Sequence, residues 1–124
     1  MSKKYWNNQK PPLDLDSNEL FIDSHFTPNS QSIGKHEDFS ESFIEEIEWM
    51  PIRFLMNKPS LFLNKIEKED VLQGNIGNCY FLSAVAALCE FPDYIEDLFV
   101  KYDHIHGYYE CQLYINGEWQ IIIL

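Results

Sequence analysis

The spacing of apolar positions changes character along the chain. Between Cys79 and Cys89 almost every position is small or apolar: Phe81, Leu82, Ala84, Val85, Ala86, Ala87 and Leu88. No glycine or proline interrupts them, and the composition predicts a helix that is apolar nearly all round and therefore buried. Pro92 then predicts the first turn of a second helix, with Ile95, Leu98, Phe99 and Tyr102 forming its apolar stripe. From Gly107 the period shortens to two. Tyr109, Cys111, Leu113 and Ile115 form the apolar-facing side and alternate with Tyr108, Glu110, Gln112 and Tyr114, the pattern of a strand. Asn116-Gly117 predicts a tight hairpin, because both central residues of a type I′ turn need positive φ. The return strand is Glu118 to Leu124.

The first half is less regular. Residues 1–18 are polar, contain Pro11-Pro12, and read as a flexible arm ahead of a single unit over residues 19–124. Glu19 to Ile33 suggests an extended segment pinned by Phe21 and Phe26. Glu37 to Glu48 predicts an acidic helix with Phe43, Ile44 and Ile47 on one side, stopped at Trp49-Met50-Pro51. The segment from Pro51 to Val71 reads as irregular, anchored by Phe54, Leu55, Leu61 and Phe62. The chain closes on Ile-Ile-Ile-Leu, the composition of a buried strand interior, which leads to the expectation that it is a fragment of a longer protein.

Composition narrows the function. With 124 residues and 45% hydrophobic content the chain can build one small core. Twenty acidic against nine basic residues give a formal net charge of -11, which disfavours a nucleic-acid partner. Three cysteines at irregular spacing do not form a secreted disulfide framework or a zinc site. The N-terminus lacks the apolar core of a signal peptide, and no run reaches the roughly 20 apolar residues of a membrane span. The expected setting is cytoplasmic.

The stretch LQGNIGNCYFLSAVAALCE holds the candidate chemistry. A thiol at a helix N-terminus meets unsatisfied backbone N–H groups and the positive end of the helix dipole, and both favour the reactive thiolate. Gly74 and Gly77 let the chain turn sharply and allow close approach to the backbone. Gln73, six residues before Cys79, can place an amide beside the sulfur. With the Cys79 backbone N–H it would make a two-donor oxyanion hole, where loss of one donor costs about 3 kcal/mol. Cysteines in apolar helices are commonly just small hydrophobes. Cys89 and Cys111 fall in that class.

QGNIGNCYFLSAVAAL resembles the active-site segment of calpains, the calcium-dependent papain-like cysteine proteases. Gln73, Gly74, Gly77, Cys79, Leu82 and Ala84 match the pattern Gln-Gly-x-x-Gly-Asp-Cys-Trp-φ-Leu-x-Ala, where φ is apolar. The likeness extends outward through LFIDSHFTPNSQSIG, through Trp49, Pro51, Pro59 and Leu61-Phe62, and through Gly117-Glu118-Trp119. Asn78 stands where the pattern has Asp, Tyr80 where it has Trp, and Met50 where it has an arginine before proline.

The resemblance implies an α+β fold: the first lobe of a papain-like protease, with a central helix beginning at the cysteine and antiparallel strands. It implies a calcium-dependent endopeptidase acting on protein substrates, with Cys79 as nucleophile and Gln73 as oxyanion donor. Asp70 resembles the family's aspartate ligand to a calcium ion, with the backbone carbonyls of Leu63 and Lys65 beside it; calcium takes six to eight oxygens. The family's catalytic histidine and asparagine lie downstream, in a second lobe of the same chain. His25, His36, His104 and His106 do not sit in that context, so this piece alone is expected to be inactive. The competing expectations are a catalytically inactive calpain-like binding or regulatory protein, and a structural domain carrying the motif by chance.

Overall fold

The computed structural model describes residues 3–12, 14–16, 18–35 and 37–124. His36 lies outside the described residues. Among the described residues five α-helices and three strands follow in order, besides 3-10 turns at Trp6–Asn8 and Lys68–Asp70: α1 (Ser30–Ile33), α2 (Glu41–Glu45), α3 (Ile52–Leu55), α4 (Cys79–Leu88), α5 (Pro92–Asp97), β1 (Phe99–Asp103), β2 (Tyr108–Ile115) and β3 (Glu118–Ile123). Helices precede one antiparallel sheet of order β1-β2-β3, an α+β arrangement.

The first three helices are single turns. Asn29 starts α1 by accepting the Gln31 N–H on its side chain, and Ser40 starts α2 by accepting that of Phe43. The acidic helix expected over residues 37–48 is confined to α2. Glu45, Glu46 and Glu48 would crowd the negative end of its dipole, and only Ile44 is buried to hold it. Pro51 precedes α3, a helical turn within the stretch expected to be irregular.

The helix expected at Cys79 forms, but it is not buried all round. Leu82, Val85, Ala86 and Leu88 face the interior or its margin, while Tyr80, Phe81, Ala84 and Ala87 are exposed. Composition made every side of α4 apolar; the described chain covers one side. That side meets a small core of Ile66, Cys89 and Ile95, with Phe62, Val71, Val85, Leu88 and Leu98 packed against it. Pro92 is the first residue of α5, as its fixed φ allows. Tyr102, expected on that helix, lies instead in β1, because α5 ends at Asp97. The Gln112 N–H donates to Leu98 O at 2.7 Å and its side-chain amide to Asp97 O at 2.6 Å, so β2 takes up the carbonyls that end α5.

Asn116 and Gly117 occupy the left-handed region (φ 52° and 85°) and close the β2–β3 hairpin. Within β2 the burial differs from the alternation. Tyr108 and Glu110 are the most buried residues of the strand, not the Tyr109–Ile115 series. The cover comes from the N-terminal segment. The Phe21 ring packs edge-on against Tyr108 at 5.1 Å, and Lys3 pairs with Glu110. Residues expected to form a loose arm thus lie along the sheet. Tyr5 bridges Ile121 in parallel, and the buried Gln9 holds the backbone of Ile123. The apolar C-terminal stretch ends β3, an edge strand of the sheet, with Ile121 and Ile123 buried and Leu124 exposed beyond it.

Candidate active site

Cys79 is the first residue of α4, and it is exposed. Asn78 precedes it at the N-cap. The main-chain carbonyl of Asn78 accepts the N–H groups of Phe81 and Leu82 at 3.0 and 3.1 Å, and its own N–H donates to Ile76 O at 2.8 Å. Its side chain does not cap the helix. Asn78 Oδ1 is buried without a hydrogen-bond partner. The first-turn amides of α4 therefore carry no side-chain cap beside the thiol, the setting in which a developing negative charge can be stabilised.

Gln73 lies on the same loop. Its Nε2 donates to Ile76 O at 3.1 Å, a bond within the loop on an exposed side chain. The structure thus places the two candidate groups on one loop–helix segment, with the Gln73 amide bonded to a local carbonyl. Ile76 as that partner had no signal in the sequence beyond the turn-forming glycines around it.

The other two cysteines differ from Cys79. Cys89 is buried and its thiol points back to Val85 O at 3.4 Å. Burial pushes the Cys111 thiol up to about 11.

Asp70, Leu63 and Lys65 come together. All three line one cavity of about 350 Å³, with Glu67, Val71, Val85, Cys89 and Phe99 among its other walls. Asp70 ends a turn in which its Oδ2 accepts the Glu67 N–H at 3.0 Å, a local capping role that leaves the other oxygen available. Glu67 adds a second carboxylate that sequence reasoning did not single out; its place three residues before Asp70, on the same turn, was the available signal. Among the described residues no group of three or more His, Cys, Asp or Glu could hold a metal ion. Calcium takes six to eight oxygens, so a hard cation here would need carbonyl oxygens beyond the Asp70 and Glu67 carboxylates, in a cavity whose other walls are mostly apolar. A cleft of about 460 Å³ between α1 and α2, lined by Gln31, Lys35, Phe39 and Glu45 among others, includes none of these residues.

The described histidines are engaged elsewhere. His104 Nδ1 meets Tyr109 Oη at 2.8 Å, and His106 Nδ1 meets Asp103 Oδ2 at 2.6 Å. His25 lies beside Asp23 and Ser24. His106 Nε2 is buried without a partner. Asp103 also accepts the Ile105 and His106 N–H groups, and these bonds, led by that to the His106 side chain, hold its carboxyl below the usual range.

Residues 21–124 match the model of the calpain family cysteine proteases. The chain belongs to the calpain family. Over 122 residues it is 30% identical to the calpain-type cysteine protease DEK1 of Arabidopsis thaliana, an alignment covering 93% of this chain and 6% of that protein. It is 31% identical to the mouse calpain-1 catalytic subunit and 29% identical to human calpain-12. Each of those alignments covers 89% of this chain and 16% of the relative. This calpain segment therefore spans a minor part of the curated relatives it matches. No helix among the described residues is long and apolar enough to cross a membrane.

Proposed function

We propose that this chain is the nucleophile-bearing part of a calcium-dependent cysteine endopeptidase of papain-like architecture, acting on proteins in the cytoplasm. The observation that carries the reading is the exposed Cys79 at the uncapped first turn of α4, in a chain of the calpain family.

In the reaction, Cys79 Sγ attacks the carbonyl carbon of the scissile peptide. The carbonyl π electrons move to oxygen, and the Cys79 N–H and Gln73 Nε2 hold the oxyanion. Gln73 Nε2 carries two N–H groups, so one can serve the oxyanion while the other stays on Ile76 O. Collapse of the tetrahedral species expels the amine with a proton and leaves a thioester, which water hydrolyses. The described histidines bond to Ser24, Tyr109 and Asp103; in this reading the proton carrier comes from a second lobe, and the present chain alone is inactive. Asp70, with carbonyls of Leu63 and Lys65, would hold calcium, which would supply a fixed positive charge that draws these segments together.

A peptidyl chloromethyl ketone supplied together with a calpain second lobe tests the reading. Alkylation confined to Cys79 and abolished in Cys79→Ser is expected, with none in the isolated chain. Equal labelling of Cys79, Cys89 and Cys111 would sink it. Calcium titration calorimetry should show binding to the chain that Asp70→Asn weakens; unchanged binding removes Asp70 from the site.

A further inference from the structure

The outer edge of β3 is covered by residues 3–9. Successive strand residues direct their N–H groups to opposite sides. Leu124 N–H donates to Tyr109 O on β2, while Ile121 and Ile123 point away from the sheet. Ile121 N–H is met by Lys4 O at 2.8 Å. Ile123 is met twice by one side chain: its N–H donates to Gln9 Oε1 at 2.9 Å, and its carbonyl accepts from Gln9 Nε2 at 3.1 Å. An uncovered edge of this kind recruits any extended chain.

Charge adds selectivity. Glu110 is 2% exposed, and its carboxylate takes Tyr108 Oη at 2.5 Å on one oxygen and Lys3 Nζ at 3.2 Å on the other. Lys3 itself is half-exposed. The anion is fixed in the sheet, and the cation comes from the covering segment. Lys4 pairs in turn with Glu118 at the start of β3. A buried carboxylate without a cation is costly, so the edge favours a chain that brings one. The covering segment then turns away: Asn7 and Asn8 adopt positive φ, and Pro11-Pro12, lacking N–H groups, cannot extend the pairing.

We propose that the β3 edge is a docking site for an extended basic peptide, with two adjacent lysines facing Glu110 and Glu118 and an amide side chain clasping Ile123. In this chain the site is occupied in cis by a displaceable N-terminal strap. The partner is a Lys-Lys-bearing segment that adds to the sheet when the strap lifts. The site is independent of Cys79 and its loop.

The test uses the full chain. In the unchanged protein the strap opens locally, so the Ile121 and Ile123 amides exchange with solvent at least tenfold faster than that of Ile122, which faces β2. Equal rates at all three would overturn the proposal, because the strap would then open only with the sheet. A labelled peptide, KKYWNNQKPP, is expected to bind the Lys3→Glu, Gln9→Ala double variant at least tenfold more tightly than the unchanged chain and to slow exchange at Ile121 and Ile123. A peptide with both leading lysines changed to glutamate should not bind. Equal affinity for the two chains, or for the two peptides, refutes the docking site.

Discussion

The side-chain amide of Gln73 is held by the carbonyl of Ile76 at 3.1 Å, within the loop that delivers Cys79 to the start of α4. The bond ties one N–H of the amide to the thiol's own segment and leaves the second N–H as a donor. Gln73→Ala in the complete protease should lower kcat about 100- to 1000-fold with little change in KM, since only the developing oxyanion loses a donor. Gln73→Glu, which removes the N–H donors but keeps the length, should be no better. Steady-state kinetics on a peptide substrate reads both; a variant that raises KM alone would place Gln73 in substrate binding.

The three thiols should separate by access. Timed iodoacetamide labelling followed by peptide mass spectrometry is expected to find Cys79 first, the half-buried Cys111 more slowly because its thiol is raised, and Cys89 at the pace of unfolding. Cys89 is buried against α5 and Cys111 lies within the sheet. Early labelling of Cys89 would mean that the contact between α4 and α5 opens more readily than its burial suggests.

Stability should fall at both ends of the pH range, for opposite reasons. Burial raises the Cys111 thiol from 9.0 to about 11, so the unfolded chain releases this proton first. The associated stability is complete below pH about 9 and is lost as pH rises towards 11. Asp103 has its carboxyl lowered from 3.8. Its contribution is present above that value and disappears as pH falls through the lower folded value. Urea midpoints against pH should show both limbs. Cys111→Ala flattens the alkaline one. Asp103→Asn flattens the acid one and costs about 1–2 kcal/mol at neutral pH through the turn bonds it weakens.

Gly117→Ala should cost about 1–2 kcal/mol. No atom stands within 4 Å of an added Cβ, so the cost is that of the backbone at φ 85°. Asn116 already tolerates φ 52° beside it. A neutral Gly117→Ala in thermal unfolding would show that the hairpin relaxes to another turn.

Local rules made some of this legible. Pro92 marks a helix start and Asn116-Gly117 a turn because each is set by one or two residues. The Cys79 segment is a contiguous motif, so its order could be read directly. Burial could not be read this way. Glu110 is enclosed because Lys3 and Phe21, far away in sequence, cover its face of β2. Alternation alone pointed to the opposite face, that of Tyr109, Cys111, Leu113 and Ile115. α4 has the reverse problem: its uniform apolarity could not say which side the described chain would cover. Asp70, Leu63 and Lys65 share a cavity wall because the turn ending at Asp70 packs beside α4. Their individual identities carry no such information.

Cys79 and Cys89 stand at opposite ends of one stiff rod. The helix between them rises about 1.5 Å per residue, so Val85 and Cys89, both in the wall of the Asp70 cavity, lie about 9 and 15 Å along the axis from Cys79. A rod of that length transmits tilt without bending. If the cavity narrows and shifts Val85 or Cys89, the other end swings as a lever, and the sulfur is re-aimed without a change in any residue that touches it.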